Sequence, residues 1–325
     1  MNIQNIQELI QDNYDINIQN IEVFRGTIGN HCTYTIYGAD KKYFFKAVNN
    51  LASFEMETAL ASVDIQLYLM QSGVPAIPII FTKDGLPCIR MDKQDKKYMY
   101  IMYEFIDGTN NPRSMVKAGE ALGKIHNVMN NYPGQMIERG KYYFINRYVD
   151  LMRKHQYPKA ELFGEYGNEL WEKIKNLPRG YCHCDLYDGN MQKDKNGKIY
   201  LVDFDTSCYG FPVYDIALFC NRTHYFKFDY NGYEKTRIRL EKFLPGYQRY
   251  NALSAEEISS LYIMIGVYHF QLCAQGIEND GYHDNTEDNG YMSNTLIFWE
   301  RQYDWLIRWK EQCVEMNSWY SKTFA

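Results

Sequence analysis

Residues 183–205 contain the side-chain types that phosphoryl transfer from a nucleotide requires. Residues 183–190 read H-C-D-L-Y-D-G-N, and residues 201–205 read L-V-D-F-D. Such a transfer needs metal ions that neutralise phosphate charge, an anion that orients the attacking hydroxyl group, and a cation on the phosphates. In the spacing H-x-D-x-x-x-x-N, the Asp accepts the proton of the hydroxyl group and the Asn binds a metal ion. The pattern therefore predicts Asp185 as the catalytic base, in a catalytic loop that it shares with His183.

The predicted metal ligands are Asn190 and Asp203. Asp203 ends a strand-like segment thirteen residues beyond Asn190. Mg²⁺ is a hard ion that favours oxygen ligands, so an amide and a carboxylate, completed by phosphates and water, suit it. The structural alternative is that His183 and Asp185 stabilise a turn while Asp203 ends an ordinary strand. The combination of the loop with a strand, a turn, a second strand and an Asp favours ATP and Mg²⁺ as cofactors.

The amino-terminal part of the chain has the pattern of a small β-rich lobe. Residues 3–13 have an amphipathic helical pattern. A three-stranded meander over residues 21–48 follows, and then a helix with an apolar stripe over residues 53–72. Strand-like segments at residues 77–81 and 98–105 complete a predicted five-stranded antiparallel sheet.

Beyond Asp107-Gly108 the pattern is helical, except between residues 180 and 203. There, two strand-like pieces are joined by a turn at Lys195-Asn196-Gly197. The predicted helices lie near residues 112–130, 142–155, 159–177, 213–222, 230–244, 255–275 and 290–315. We therefore expect an α+β, bilobal, protein-kinase-like fold. A nucleotide-binding β lobe would occupy residues 1–105, and a helical lobe with the catalytic loop and the substrate site would occupy residues 106–325.

A lysine inside the third predicted strand is the candidate phosphate-binding cation. Lys46 is followed there by Ala-Val, and its alternative role is that of an exposed strand lysine. An acid on the next helix is expected to hold its side chain extended. Glu57 is the first choice for this acid, with Glu55 and Asp64 as rivals because one sequence does not fix the rotation of a helix.

Two further segments are predicted to bind the nucleotide. The first turn of the meander contains glycines that let a backbone approach phosphates, and the segment that joins the lobes offers backbone groups to adenine. The predicted nucleotide-binding residues in these two segments are Gly26, Thr27, Gly29, Glu104, Phe105 and Ile106.

Composition excludes several classes of function. The net charge is −5 with scattered basic residues, which gives no footprint for nucleic acid. No apolar run approaches the roughly 18 residues of a membrane span, and the amino terminus lacks the pattern of a signal peptide. Eight thinly spread cysteines are expected to be reduced thiols in the cytoplasm. Cys182 and Cys184 form one C-x-C pair, but no second pair lies nearby, so the sequence predicts no zinc site.

At these motifs the chain resembles the aminoglycoside phosphotransferase and choline kinase superfamily. The catalytic loop resembles H-G-D-L-x-x-G-N of that family, V-D-F-D at residues 202–205 resembles I-D-F/W-x, and Y-D-I-A at residues 214–217 matches x-D-L-A. G-K-I-H at residues 123–126 resembles a further element, L-G-x-x-L-H. The resemblance covers roughly residues 20–310. It implies the roles given above for Asp185, Asn190 and Asp203, and it makes Asp215 a carboxylate that organises the loop.

This sequence departs from the family pattern at two positions of the catalytic loop. Cys184 stands where the family usually has Gly, and Tyr187 stands where His is frequent. Both departures concern the details of the site and not the class of reaction.

The expected acceptor is a hydroxyl group of a small molecule, such as an aminoglycoside or an amino alcohol. Only eleven residues separate Asp203 from Asp215 and no A-P-E follows, whereas protein kinases need a long activation segment there. Glu278, Asp280 and Asp284 lie in an acidic segment that would attract a cationic substrate. An ordinary solvated loop is the alternative for that segment.

Two other functions stay open from the sequence alone. One is a homoserine-kinase-like or sugar-kinase-like enzyme, because such enzymes share the same core motifs. The other is a catalytically silent binding protein with the kinase fold. A monomer or a homodimer, with no nucleic-acid or membrane partner, is expected in each case.

Overall fold

The amino-terminal part of the chain forms an antiparallel sheet in the structure, which is a computed structural model. The structure describes residues 2–28, 31–51, 53–93, 96–110, 114–224, 227–280 and 296–323. The strands of this sheet are β1 (Ile18–Ile28), β2 (His31–Gly38), β3 (Lys42–Leu51), β4 (Ile79–Ile80), β5 (Ile89–Lys93) and β6 (Lys96–Glu104). Their spatial order is β1-β2-β3-β6-β4, and β5 pairs with β6. Every pair is antiparallel.

The sheet has one strand more than the five predicted from the sequence. The additional strand is β5, in which Ile89 and Met91 alternate with Arg90 and Asp92. Two apolar residues are too few for a clear period of two, so β5 escapes a search for alternation. β5 is a strand because its backbone pairs with β6, and this pairing could not be predicted from its sequence pattern.

One face of this sheet packs against α1 (Ile3–Asn13). Ile6 and Ile10 of α1 are fully buried in a cluster that includes Phe45 and Ala47 of β3. Because successive side chains of a strand point to opposite faces, the side chain of Lys46 lies on the other face. The alternation of β3 thus fixes which side of the sheet carries the cation.

A three-stranded sheet joins the same compact unit. It consists of β7 (Gly108–Asn110), β9 (Met191–Asp194) and β10 (Ile199–Leu201), in the order β10-β9-β7. Gly108 has no room for a side chain, because a Cβ there would lie 1.7 Å from the carbonyl oxygen of Lys193. The Ile77 N–H donates to the carbonyl oxygen of Leu201 at 3.0 Å, which ties β10 to the segment before β4.

The chain divides into two compact units that are not continuous in sequence. The first unit comprises Met1–Pro112, Asn131–Ile137 and Gly189–Thr206, and the second comprises Arg113–Asn130, Glu138–Asp188 and Ser207–Ala325. Besides the two sheets, the first unit contains α2 (Ser53–Gln71). The hairpin that follows the catalytic loop therefore belongs to the unit of the large sheet.

The second unit is built of helices and one short pair of strands. Its helices include a five-residue π-helix, Tyr142–Asn146, that runs directly into α4. β8 (Gly180–Cys182) pairs with β11 (Cys208–Gly210). The helices are α3 (Met115–Met129), α4 (Arg147–Lys154), α5 (Ala160–Ile174), α6 (Pro212–Cys220), α7 (Gly232–Tyr247), α8 (Ala255–Asp280) and α9 (Leu296–Thr323). Among the described residues, none of the helices has the length and the apolar content that crossing a bilayer requires.

Glycines let α3 and α7 approach each other closely. A Cβ at Gly119 would lie 2.2 Å from the carbonyl oxygen of Phe243, and one at Gly246 would lie 2.0 Å from that of Val116. The obstacles are backbone atoms, so no side-chain rotation relieves them. The crossing of α3 and α7 therefore depends on the absence of a side chain at these positions.

We expect Gly246→Ala to lower the free energy of unfolding by about 2 kcal/mol or more, because the methyl group overpacks the α3–α7 contact. Urea denaturation measures this change. Gly140→Ala is the matched control, because a Cβ at Gly140 meets nothing within 4 Å. Equal stability of the two variants would contradict the close contact.

Candidate active site

The backbone of the catalytic loop is held by one buried carboxylate in the second unit. Asp215 lies in the first turn of α6 and is fully buried. Its Oδ2 accepts a hydrogen bond from the His183 N–H at 2.6 Å, and its Oδ1 accepts one from the Cys184 N–H at 2.9 Å. This geometry agrees with the loop-organising role that the family resemblance implies for Asp215.

A second layer of hydrogen bonds supports this carboxylate. His126 Nε2 lies 3.1 Å from Asp215 Oδ2, and His126 Nδ1 lies 2.8 Å from the Tyr247 hydroxyl group. Burial by itself would raise the pKa of Asp215, but the hydrogen bond and charge of His126 and the bond from the His183 N–H hold it below its usual value. Asp215 is therefore an anion in the folded protein. His126 packs beneath the loop.

The residue before the predicted catalytic base has an unusual backbone conformation. Cys184 has a φ of 64°, in the left-handed region that favours glycine. This conformation explains why glycine is usual in the family at this position. The Cys184 N–H is one of the two groups that Asp215 holds, so the loop keeps the turn despite the cost of a side chain. Asp185 follows directly, is partly buried, and lies close enough to Tyr268 to help raise the pKa of that phenol, after burial, which is the larger cause.

The other end of the loop is tied down by arginines that sequence reasoning missed. Asp188 Oδ1 accepts a hydrogen bond from Arg239 Nη2 at 2.6 Å, and Asp188 Oδ2 accepts one from Arg222. Arg239 also stacks over the ring of Phe219, 4.8 Å from its centroid. In the sequence, Asp188 was visible as an acid inside the loop. Arg222 follows α6 and Arg239 lies in α7, and no local sequence pattern connects these arginines to Asp188.

In the first unit, the predicted phosphate-binding lysine meets the predicted metal ligand. Lys46 Nζ donates to Asp203 Oδ1 at 2.8 Å and to Asp205. Burial would lower the pKa of Lys46, but the charges of Asp203 and Asp205 outweigh it and raise the pKa above its usual value. The lysine is thus a buried cation. Asp205, two residues beyond Asp203, is a further functional candidate. The sequence pattern did not predict it as a site residue.

The structure also connects Asn190 with Asp203. Asn190 is buried, and its carbonyl oxygen accepts a hydrogen bond from the Val202 N–H at 3.1 Å. Asp203 is the next residue, its side chain is about half exposed, and its φ is 63°. A non-glycine residue in this conformation carries strain of the kind that concentrates at functional sites. Both predicted metal ligands are therefore neighbours at the end of one hairpin.

The structure does not bring Glu57 to Lys46. Glu57 is exposed and lines a surface depression with Arg90, Asp92 and Lys97. The lysine instead pairs with acids that lie 157 and 159 residues away in the sequence. Helix rotation decides this difference, because Met56, Ala59, Ser62 and Gln66 lie on the buried side of α2, whereas Glu57 is exposed.

The predicted phosphate turn is displaced along the chain. Gly26 and Thr27 belong to β1, which continues to Ile28, and Ile28 pairs with His31. Gly29 lies outside the described residues. The register of β1 against β2 shifts between Val23 and Ile28, so this end of the strand is irregular.

The predicted adenine-binding segment starts at the end of β6. Glu104 is its last residue, and the Glu104 N–H already donates to the carbonyl oxygen of Pro78 at 3.0 Å. Phe105 and Ile106 are partly buried, and Lys42 lies over the ring of Phe105, 5.6 Å from its centroid. Backbone recognition of adenine in this segment would therefore fall to Phe105 and Ile106.

The predicted acidic segment with Glu278, Asp280 and Asp284 lies only partly within the residues that the structure describes. Glu278 forms an ion pair with Arg147 at 3.1 Å. Asp280 ends α8, and Asp284 lies outside the described residues. The charge of Glu278 is thus already offset within the second unit.

Comparison with known proteins identifies the family and the fold of the chain. A sequence model of the phosphotransferase enzyme family, APH, matches residues 24–256. Homoserine kinase from Sinorhizobium fredii (strain NBRC 101917 / NGR234) is 35% identical over 143 residues, which are 44% of this chain and 34% of that protein. The chain spans 34%, 51% and 54% of the lengths of three curated relatives that it matches.

Two solved structures share the fold over nearly the whole chain. Amicoumacin kinase hAmiN, in complex with AMP-PNP, Ca²⁺ and Ami, has a TM-score of 0.69 at 15% identity and covers 96% of this chain and 94% of that one. The microcompartment-associated aminopropanol kinase has a TM-score of 0.68 at 14% identity and covers 98% of both chains. The α+β, kinase-like fold predicted from the sequence is confirmed.

We expect Asp215→Asn to lower the free energy of unfolding by about 3 kcal/mol, because the amide loses the charge that two backbone N–H groups and His126 hold. Chemical denaturation followed by circular dichroism measures the loss. Asp150→Asn is the matched control: Asp150 pairs with Arg153, both side chains are about half exposed, and such a pair contributes about 1 kcal/mol or less. A loss no larger than that of the control would contradict the role of Asp215.

Proposed function

Because the chain belongs to the phosphotransferase enzyme family, we propose that it transfers the γ-phosphate of ATP to a hydroxyl group of a small molecule. The observation that carries the proposal is the contact of Lys46 with Asp203 and Asp205. A cation for phosphates and a carboxylate for a metal ion are the two charged parts that such a transfer requires around the nucleotide. Their meeting in one unit, from positions far apart in the sequence, supports this chemistry.

The proposed acceptor chemistry falls to Asp185. It accepts the proton of the attacking hydroxyl group and orients its oxygen toward the phosphorus. His183 is fully buried, so its proposed role is to position the loop through the bond of its N–H to Asp215. Asp215 and Asp188 hold the two ends of the loop, which limits the movement of the base between them.

Asn190 and Asp203 are the proposed ligands of Mg²⁺. Their side chains offer only oxygen as a metal-binding atom, which suits a hard ion. The bond between the Val202 N–H and the Asn190 carbonyl oxygen keeps the two residues at the same end of the hairpin. Asp205 adds a second carboxylate there. When bound, the ion would neutralise charge on the transferred phosphate, and Lys46 would share this task.

The acceptor is proposed to be a small hydroxylated molecule of one of three kinds. The similarity of the chain to a homoserine kinase favours a hydroxy amino acid. Its fold likeness to an aminopropanol kinase and to amicoumacin kinase adds an amino alcohol and an amicoumacin-like molecule as candidates. The ion pair of Glu278 with Arg147 weakens the case that the acidic segment selects a cationic substrate. A catalytically silent binding protein is the second candidate, and the presence of all the expected chemical groups in the sequence speaks against it.

We expect magnesium-dependent release of ADP from ATP with at least one acceptor from a panel of aminoglycosides, choline, ethanolamine, homoserine and free sugars. Asp185→Asn should lower kcat by about 10²–10⁴-fold, because the hydroxyl group loses its general base, while binding of the nucleotide persists. A coupled ADP assay and a nucleotide-binding titration give both values. Near-wild-type turnover in the variant would overturn the role of Asp185, and no turnover with any acceptor would favour the silent binding protein.

We expect Lys46→Ala to impair the use of ATP more than the binding of the acceptor. The variant removes the buried cation beside Asp203 and Asp205, so phosphate charge loses its partner. Steady-state kinetics with ATP and the acceptor varied separately distinguish the two effects. Lys83→Ala is the control, because Lys83 is an exposed lysine whose ammonium donates to the carbonyl oxygen of Gln11. An unchanged KM for ATP together with an unchanged kcat would count against Lys46.

A further inference from the structure

Three cysteine thiols meet in the second unit, behind the catalytic loop. Cys184 Sγ lies 3.3 Å from Cys182 Sγ and 3.2 Å from Cys208 Sγ. All three sulfur atoms lie within 4.8 Å of one another. The residues are at most 2% exposed, and each thiol is free.

The backbone brings the third thiol to the other two. Cys182 and Cys208 are directly paired residues of β8 and β11, so their side chains stand next to each other on the same face. The left-handed turn at Cys184 brings its thiol back to this pair. In the sequence, Cys182 and Cys184 looked like an isolated C-x-C pair. The strand pairing adds a ligand from 24 residues further along the chain.

A partly buried cation, Arg139, lies beside the cluster. Among the residues that the structure describes, Arg139 has no carboxylate partner, and its Nη1 is buried without a hydrogen-bond acceptor. Burial would lower its pKa, but the nearby Tyr143 and the three cysteines hold the pKa above its usual value. A buried charge is costly unless an opposite charge compensates it. Thiolates in this cluster would supply that charge.

The thiols already differ in their tendency to ionise. Burial raises the pKa values of Cys182 and Cys184. Burial would also raise the pKa of Cys208, but hydrogen bonds from the other two thiols and the charge of Arg139 lower it well below its usual value. Three sulfur atoms in mutual contact are a starting point for metal coordination, because thiolates are the ligands of soft metal ions.

We propose that Cys182, Cys184 and Cys208 form a trithiolate site for a thiophilic d¹⁰ metal ion, represented by Zn²⁺. Zn–S bonds of about 2.3 Å place tetrahedral sulfur ligands about 3.8 Å apart, so small side-chain movements suffice. Asp215 Oδ1, 3.2 Å from Cys182 Sγ, offers an oxygen for the fourth position. The inference does not rest on the proposed kinase activity.

Charge and protons balance in this site. Three thiolates, the Asp215 carboxylate and one divalent ion give a complex with a net charge of −2, and the three thiols release three protons to the solvent. Arg139 lies where it offsets one of these negative charges. A disulfide between two of the three cysteines would instead remove negative charge from beside the guanidinium, which favours the metal complex over the oxidised form.

Cadmium titration of the reduced full-length chain under anaerobic conditions tests the site. We expect a sulfur-to-cadmium charge-transfer absorption that saturates at about one equivalent per chain, with release of up to about three protons, since bound thiols must lose theirs. Cd²⁺ should displace bound Zn²⁺, because thiolates prefer the softer ion, and the bound ion should survive gel filtration in the presence of a weak chelator. No saturation at one equivalent, or loss of the ion on gel filtration, would overturn the proposal.

Matched cysteine variants locate the ion. Cys184→Gly removes one ligand and relieves the left-handed strain, so this variant is expected to fold, and its affinity for Cd²⁺ should fall about 100-fold or more. Cys208→Ala should show the same loss. Cys273→Ala, at an equally buried cysteine of α8 outside the cluster, should bind like the wild type. Wild-type affinity in Cys184→Gly, or a purified chain that holds a disulfide within the cluster and takes up no metal, would refute the site.

Discussion

The catalytic loop depends on one buried anion. Asp215 receives the N–H groups of His183 and Cys184 and the ring of His126, and a carboxylate without these donors would be too costly to bury. The same bonds hold Cys184 in a backbone conformation that a side chain disfavours. The position of Asp185, the next residue, therefore follows from an electrostatic requirement in the interior of the second unit.

The first unit buries a charge of the opposite sign to that of Asp215. Lys46 is a buried cation, and the carboxylates of Asp203 and Asp205 compensate it. In a kinase of this family, nucleotide phosphates and a metal ion bring further charge to such a group. Lys46 pairs with these two carboxylates and not with an acid on α2, because Glu57 is exposed on that helix.

The fold and the candidate site residues could be predicted from the sequence because their signals are local. The H-x-D-x-x-x-x-N spacing, the hairpin turn at residues 195–197 and the helical periods beyond residue 107 each lie within a short window of chain. β5 was missed because it has only two alternating apolar residues. The end of β1 was placed wrongly because glycine permits a turn without requiring one.

The sequence by itself determined the kinase-like architecture, the loop that carries Asp185, and the candidate ligands Asn190 and Asp203. Only the tertiary structure decided which charges meet: Lys46 with Asp205 instead of Glu57, Asp188 with Arg222 and Arg239, and Cys208 with Cys182 and Cys184. The physical reason is distance along the chain. Periodicity reports how a segment packs, whereas strand register, helix rotation and the need to compensate buried charge bring together residues that no short pattern connects.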